Sequence, residues 1–424
     1  MRIWLITVGE PLPIGGGSPR LMRAGMLGRR LREAGHEVVW WSSRFDYAAK
    51  VQRKGPGYHD TEAGRVILLD GTSYSRNVSL ARLRNHRQIA KHFTLLAAGQ
   101  SRPDLIIASY PTIELAQAAV AYGRRQNVPV IIDVRDLWPD IFLDILPTWA
   151  HGGGRVALAP LYRAKRNVMR DATAIFAANE DFLKWALAAG ERTRSGLDGV
   201  YPLAYERANY SRAAIERAEA GWVEFGLRKE HKIACFFGNL STQILDLNTV
   251  FEAARYLKVE CPTARIVLCG DNGQLERLRK LAVDLPVVLP GWVDGPQIQT
   301  LMARSVVGLL PYRNRWDFVG HMPNKPIEYL AGGLPVVSGL AGSLGELLVK
   351  ERCGLVYEEG DPRALADALI RFFEKSGVST NMSKNAVEVF ETRFSADVVY
   401  NSYIEASKRI AIAMRQPDAG AAPE

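Results

Sequence analysis

Short apolar runs recur along this chain, each followed by a longer amphipathic segment, and that alternation limits the architectures open to it. The clearest run is Pro103-Asp104-Leu105-Ile106-Ile107-Ala108-Ser109. A strand that is apolar at nearly every position has no face to give to water. It must lie in a sheet covered on both sides, the habit of parallel sheets with helical crossovers. Similar runs predict strands over residues 3–8, 36–41, 65–70, 128–133 and 171–178, with helices over 20–34 and 112–126 between them. The rhythm pauses between Tyr201 and Glu230, which is polar and rich in Arg, Glu and Tyr. An interdomain linker with a lead-in helix is expected there. Strands then return over 232–237, 265–269, 286–289, 306–311, 334–338 and 354–357, with helices over 247–258 and 274–282. Asp361-Pro362 reads as an N-cap followed by proline in the first helical turn. The fold class expected is α/β, doubly wound, in two similar halves.

Length agrees, because 424 residues exceed what one core usually holds, roughly 250–300. The divisions expected are 1–200, 201–395, a long amphipathic helix over 396–415 and a disordered tail over 416–424. No apolar run approaches the ~18 residues of a membrane span. Residues 3–8 are too short for a signal peptide. Cys235, Cys261, Cys269 and Cys353 show no paired spacing, which suits a reducing cytoplasm and gives no zinc site.

The net charge of +9 favours anionic partners, and part of the excess is local. Arg76, Arg82, Arg84, Arg87 and Lys91 lie with His86 and His92 in a stretch that holds no acid. No nucleic-acid module accompanies them. A membrane surface or a phosphate-bearing substrate is favoured over nucleic acid, with a solvated helix face as the plainer reading. Farther on, Trp138, Ile141, Phe142, Ile145 and Trp149 fall at helical spacing, followed by Arg155, Arg163, Lys165 and Arg166. They suit either a core-facing helix or an element dipping into lipid with its cations on headgroups.

Chemistry concentrates in Pro323-Asn324-Lys325-Pro326-Ile327-Glu328, which leads through Ala331-Gly332-Gly333-Leu334-Pro335 into a buried strand. A helix N-terminus favours anions, Lys325 adds a full positive charge, and Glu328 can accept from paired sugar hydroxyls. The group reads as a holder for a nucleotide diphosphate and its ribose, or as an ordinary solvated Lys–Glu pair. A dehydrogenase is disfavoured. The dinucleotide glycine fingerprint is absent after the first strand, no acid ends the second, and there is no Walker pattern.

Further motifs appear in order: Gly15-Gly16-Gly17, Gly35-His36-Glu37-Val38, Asp133-Val134-Arg135-Asp136-Leu137-Trp138-Pro139, Phe237-Gly238-Asn239, Gly270-Asp271-Asn272-Gly273 and Pro290-Gly291-Trp292-Val293. Together with the Lys325–Glu328 segment, this series resembles the retaining family-four glycosyltransferases of the GT-B fold. It is most similar to the bacterial subgroup building O-antigen, capsule and exopolysaccharide, fucosamine-type transferases included. The resemblance implies two Rossmann-like domains facing across a cleft, acceptor bound by the first and donor by the second, with the last helix crossing back. It gives Glu328 the donor ribose and Lys325 the diphosphate. The backbone near Trp292 and Val293 would read the base, and Gly238-Asn239 would let the turn approach the phosphates. The Gly15–Gly17 loop would meet acceptor or phosphate.

The chain also departs from that pattern. The Arg and Lys that many relatives carry after the strand 232–237 are missing from Asn239–Asp246, so Arg313 and Arg315 become candidates for the diphosphate's counter-charge, with a solvated loop as the alternative. The first of the family's paired glutamates falls on Gly320. Glu346 could be a further polar contact or only a carboxylate at a helix start. Arg135 and Asp136 stand where many relatives carry a histidine. Asp136 could orient the acceptor hydroxyl or accept its proton, pair with Arg135, or cap a helix.

The expected activity is retaining transfer of a sugar, from a UDP-sugar by preference, to a glycan or polyprenyl-diphosphate-linked acceptor. Arg82, Arg84, Arg87, Lys91, Trp138 and Phe142 are expected to face that acceptor or the inner membrane surface. No metal, cofactor or nucleic acid is expected. The protein would sit in the cytoplasm, peripheral to the inner face of the membrane. A nucleotide-sugar 2-epimerase and a non-catalytic protein of the same fold are the alternatives.

Overall fold

The computed structural model describes residues 1–14, 20–77, 79–140, 151–315, 319–320, 322–374 and 376–414. The chain divides into two compact units, residues 1–202 with the chain from Tyr400 onward, and Leu203–Val399.

The first unit runs β1 (Arg2–Ile6), α1 (Arg23–Glu33), β2 (Glu37–Ser43), β3 (Phe45–Asp46), β4 (Val51–Gln52), β5 (Tyr58–Thr61), β6 (Gly64–Leu69), α2 (Leu80–Ala97) and β7 (Leu105–Tyr110). It continues with α3 (Ile113–Gln126), β8 (Val130–Val134), α4 (His151–Ala157), α5 (Ala159–Asp171), β9 (Ala174–Ala177), α6 (Glu180–Ala189) and β10 (Gly199–Val200). The sheet order is β10-β9-β8-β7-β1-β2-β6-β5, parallel except for β5 at the edge. Because β1 lies between β7 and β2, the winding reverses direction at β1. Under the sheet, the Trp4 ring packs 5.1 Å from Trp41 and 4.9 Å from Tyr122, and Phe93 of α2 stands edge-on 5.0 Å from Trp41. Asn127 closes α3 in the left-handed region at φ 50°. A Cβ on Gly123 would fall 2.3 Å from Val130 Cγ2, so helix and strand touch only because that side chain is missing.

The second unit holds α7 (Arg212–Glu224), β11 (Lys232–Phe237), α8 (Leu247–Glu260), β12 (Ala264–Cys269), α9 (Leu275–Leu281), β13 (Val287–Gly291), α10 (Gly295–Arg304) and β14 (Ser305–Leu310). After these come α11 (Asn324–Ala331), β15 (Val336–Ser338), α12 (Ser343–Lys350), β16 (Gly354–Val356), α13 (Pro362–Glu374), α14 (Ser376–Val389) and a π-helical turn (Phe390–Phe394); the last helix, α15 (Ala396–Ala413), belongs to the first unit from Tyr400 onward. Its sheet is wholly parallel in the order β13-β12-β11-β14-β15-β16. Helix starts are fixed by side chains. Asp294 and Gln297 form a reciprocal capping box, and Asp361 accepts from the Arg363 and Ala364 amides at 2.9 Å each. From α15, Tyr403 packs within the first unit, 4.8 Å from Phe176 and 4.9 Å from Tyr201.

Several details differ from the sequence reading. The strand expected over 171–178 is Ala174–Ala177, because Asp171 ends α5 and is held by Arg124 and Arg170 at 2.8 Å each. By contrast, the lead-in helix expected in the polar stretch after Tyr201 is present as α7, tied to α10 by Trp222 Nε1 donating to Thr300 Oγ1 at 2.8 Å. The basic stretch from Arg82 to Lys91 lies inside an 18-residue helix. The tail over 416–424 lies outside the described residues. Among the described residues no helix is long and apolar enough to cross a membrane.

All four cysteines are buried free thiols. Burial pushes the Cys235 thiol up to about 12 and the Cys353 thiol up to about 11. Their neutral forms are favoured in the fold, so the stability they contribute is present at neutral pH and falls as pH rises above the ordinary thiol range. Iodoacetamide at pH 8 is therefore expected to spare all four in the native protein and to label all four in urea. Rapid labelling of Cys235 in the native protein would contradict this packing.

Candidate active site

In an open parallel sheet, the loops beyond the strands' carboxyl ends part where the winding reverses, and ligands collect in that crevice. In the second unit the reversal falls between β11 and β14. Gly238 ends β11 there, and α11, which follows β14 in the chain, brings Lys325 to it. Lys325 Cε lies 3.3 Å from where a Gly238 Cβ would stand, and its ammonium is 4.7 Å from the Phe237 ring centroid. The same nitrogen is 3.3 Å from Glu328 Oε1. Glu328 is only 2% exposed, so this pair is not the solvated i,i+3 pair that spacing alone allows. Pro323 at the N-cap has no side-chain acceptor to occupy the first amides of α11. Sequence reasoning missed Tyr312. Its buried phenol is pushed up to about 12, by desolvation first and then by the charge of Glu328.

Glycines bring the neighbouring loops together. The Gly238 amide donates to Cys269 O at 2.9 Å, and the Gly270 amide donates to Gly291 O at 2.7 Å. Gly270 has φ +132°, and a Cβ on it would fall 1.7 Å from Gly238 O. No other residue fits there. Asn272 Nδ2 ties the next loop to Leu240 O at 2.8 Å. Asn239 is exposed, Trp292 is 83% exposed, and Val293 is packed in the core. A large aromatic face thus stands in solvent directly after Gly291, while any contact from Val293 would come from its backbone.

The cation candidates separate. Arg313 is matched by Asp246 at 3.3 Å and Glu359 at 3.5 Å, and its Nε donates to Thr242 O at 3.3 Å. Its charge braces its own loop against those holding Thr242 and Glu359, so the solvated-loop alternative does not describe it. Arg315 is exposed in the same loop. Between them Asn314, unremarked in the sequence, donates to Gly339 O at 2.8 Å and accepts from the Ala341 amide at 2.7 Å. Glu346 is exposed in the first turn of α12.

In the first unit, Asp133 at the end of β8 is buried and accepts from Arg23 Nε at 2.9 Å and Nη2 at 2.8 Å. Arg23 Nη1 also donates to Pro202 O at 2.8 Å. Arg135 is ion-paired to Glu10 and lies 3.8 Å from Asp133. Glu10 accepts in turn from the Ala24 amide at 2.9 Å. In this network the Arg135 guanidinium serves Glu10 and Asp133. Asp136 is half-buried, and its Oδ1 accepts from the Leu137 amide at 2.7 Å. Glu10 lies 125 residues from Arg135 and Arg23 lies 110 from Asp133, so no local pattern could have found these ion pairs.

The basic patch also divides. Arg84, Arg87 and Lys91 are exposed along one face of α2. Arg82 turns inward, its guanidinium 4.1 Å over the Trp138 ring. Trp138 is only 7% exposed, so its reading as a lipid-facing residue is overturned. Gly15, Gly16, Gly17 and Phe142 lie outside the described residues.

Residues 21–195 match the family described as "Glycosyl transferase 4-like domain", and residues 231–375 match "Glycosyl transferases group 1". A putative colanic acid biosynthesis glycosyltransferase, WcaL of Escherichia coli, is 30% identical over 166 residues, 37% of this chain and 40% of that protein. The amylovoran biosynthesis glycosyltransferase AmsK of Erwinia amylovora is 30% identical over 178 residues, 40% of this chain and 43% of that protein. The chain thus spans less than half the length of these relatives. Among solved structures, sucrose-phosphate synthase of Thermosynechococcus elongatus superposes with TM-score 0.69 at 16% identity, over 97% of this chain and 99% of that one. HepE of Anabaena, solved with UDP, gives TM-score 0.66 at 17% identity, over 96% and 99%. These likenesses establish the GT-B fold.

Two substitutions test the geometry. Asp133→Asn leaves Arg23 and Arg135 short of buried charge and is expected to cost about 3–5 kcal/mol in urea unfolding. Replacing both partners, Arg23→Met with Asp133→Leu, should recover part of that loss. Gly270→Ala forces a Cβ against the Gly238 carbonyl at a positive φ and should cost about 1–3 kcal/mol. A midpoint unchanged in Gly270→Ala would contradict the close approach of the two loops.

Proposed function

We propose that this chain, which joins a glycosyl transferase 4-like domain to a group 1 glycosyltransferase domain, is a retaining glycosyltransferase of cell-surface polysaccharide synthesis. The observation that carries the reading is the Lys325–Glu328 pair at the start of α11, beside the side-chain-free Gly238. A nucleotide diphosphate needs a cation and free amides in one place, and its ribose needs a carboxylate that water does not compete for. Lys325 and the N-terminus of α11 would hold the diphosphate. Glu328 would accept from the ribose hydroxyls, and the exposed Trp292 would stand beside the base. UDP is the favoured nucleotide, and the UDP complex of HepE supports that choice.

As the glycosidic bond breaks, negative charge grows on the leaving diphosphate, and Lys325 with the helix dipole would stabilise it. That oxygen can take the acceptor's proton on the same face, which gives retention without a covalent enzyme carboxylate. Asp136, whose half-buried carboxylate is engaged through one oxygen with the Leu137 amide, would orient the acceptor hydroxyl.

The acceptor proposed is a glycan or a polyprenyl-diphosphate-linked sugar. The colanic acid and amylovoran relatives favour exopolysaccharide, whereas a fucosamine-type donor rests on the motif resemblance alone. Arg84, Arg87 and Lys91 would draw the protein to the anionic inner face of the membrane, each contributing about 1 kcal/mol near the surface.

A thermal-shift series with UDP, GDP, ADP and their sugar conjugates tests the donor site. One nucleotide is expected to raise the melting temperature, since a ligand at a hundred times its Kd adds about 2.7 kcal/mol of stability. Lys325→Gln and Glu328→Gln, which preserve size, should weaken that nucleotide about tenfold or more. A chain that responds to no nucleotide, or a Lys325→Gln variant that binds as tightly as the parent, would sink the proposal.

A further inference from the structure

Away from these loops the first unit carries an open cavity of about 520 Å³, lined by Asp140, Arg155, Ala159, Tyr162, Arg163 and Arg166. Helices α4 and α5 run almost end to end here, since the Leu158 amide donates to Gly154 O and the Tyr162 amide to Leu158 O. Residues 155, 159, 163 and 166 follow at steps of three or four, so they share one face. Three of the six lining side chains are therefore guanidinium groups converging on one concavity.

The charges around that concavity do not cancel. Asp140 is already neutralised, accepting from Lys165 Nζ at 3.0 Å and from Trp185 Nε1 at 2.6 Å. The Lys165 ammonium lies between the Tyr162 and Trp185 rings, at 4.8 and 4.5 Å from their centroids. Lys165 is thus a buried member of the pocket's base, not the headgroup contact its sequence position suggested. Arg166 is paired with Glu191 at 2.6 Å. Arg155 and Arg163 are exposed, and neither has an acidic partner among the described residues. Arg163 and Arg166 stand one helical turn apart, where like charges repel, and Arg155 adds a third guanidinium two turns before Arg163 on the same face. An anion in the cavity would relieve that repulsion. The planar fork of arginine matches the oxygens of phosphate and carboxylate alike, and a group that carries more than one negative charge answers three guanidiniums better than a single carboxylate does.

We infer that this pocket binds a phosphate or diphosphate group, with Arg155 and Arg163 as its principal donors and Arg166 at its edge. The inference does not rest on the transfer reaction. The group could belong to a soluble ligand or to a lipid headgroup, and the chemistry of recognition is common to both.

Two arms separate those sources. In the first, inorganic pyrophosphate is titrated calorimetrically into the full chain. In the second, the chain is sedimented with phosphatidylcholine vesicles, with and without phosphatidic acid. Three variants run alongside: Arg155→Gln with Arg163→Gln, Arg84→Gln with Arg87→Gln on α2, and Lys325→Gln at the donor loops. The Arg155 and Arg163 side chains are exposed, so that double variant should keep its melting temperature. Binding in at least one arm is expected, weakened about tenfold or more by the Arg155/Arg163 changes and less by the other two. Pyrophosphate binding alone would identify a soluble phosphate ligand, and vesicle binding alone a headgroup. Binding in neither arm overturns the inference. So does binding that survives the Arg155/Arg163 changes and is lost in Lys325→Gln or in the α2 variant. Failure of the donor proposal would appear separately, as a missing nucleotide shift.

Discussion

A strand apolar on both faces stays dry only between two layers of helix, and that requirement leaves one region for polar chemistry. Each unit here is built on such strands, β7 in the first and β11 in the second. Their sides are taken up by packing, so polar groups collect in the loops beyond the carboxyl ends. Winding direction then decides which loops part. In the second unit they part between β11 and β14, and Gly238 and Lys325 meet there although 87 residues separate them in the chain. The approach depends on atoms that are absent. Without a Cβ on Gly238 or Gly270, the first two strand-end loops stack carbonyl against α-carbon, and the lysine stem can lie close.

Two buried charge groups follow from this arrangement, and they differ in kind. Around Asp133 two arginines meet two carboxylates; the remaining Arg23 donor goes to Pro202 O, and Glu10 accepts from the Ala24 amide at the start of α1. Such a network balances its own charge and is costly to disturb from one side. At α11, one lysine faces one carboxylate in a setting open at the helix start. An ammonium with three donors has capacity left after a single contact to Glu328. The first group suits holding β8, α1 and the end of the unit in place, and the second suits receiving a ligand.

Much of this was legible in the sequence, where the physics is local. Apolar runs mark the buried parallel strands to within a few residues but miss the short ones, β3, β4, β5 and β10, and the Asp361-Pro362 start held because an N-cap acts over one turn. The Lys325–Glu328 pair was visible because both residues sit on one helix. What could not be read was long-range or a matter of facing. Arg23 and Asp133 are 110 positions apart. Trp138 and Arg82 were both assigned to a surface, and each instead covers the other, since a cation over a ring satisfies both. Charge composition alone does not tell a guanidinium stacked on indole from one in water.

The distribution of unmatched cations then becomes informative. On the second unit, four exposed helical arginines sit one turn from an acid: Arg212 with Glu216, Arg255 with Glu252, Arg279 with Glu276, Arg363 with Asp367. Pairs of that kind cancel locally and contribute a few tenths of a kcal/mol each. The first unit pairs some of its cations in the same way, yet Arg84, Arg87 and Lys91 on α2 and Arg155 and Arg163 by the cavity have no acidic partner among the described residues. Fields from matched pairs fade within a few ångströms, whereas an unmatched row reaches out to about a Debye length, roughly 8 Å at physiological salt. Part of the chain's positive charge therefore stands unmatched on the first unit, where it can act on an anionic surface or ligand. A uniform coat of the same net charge would serve solubility only.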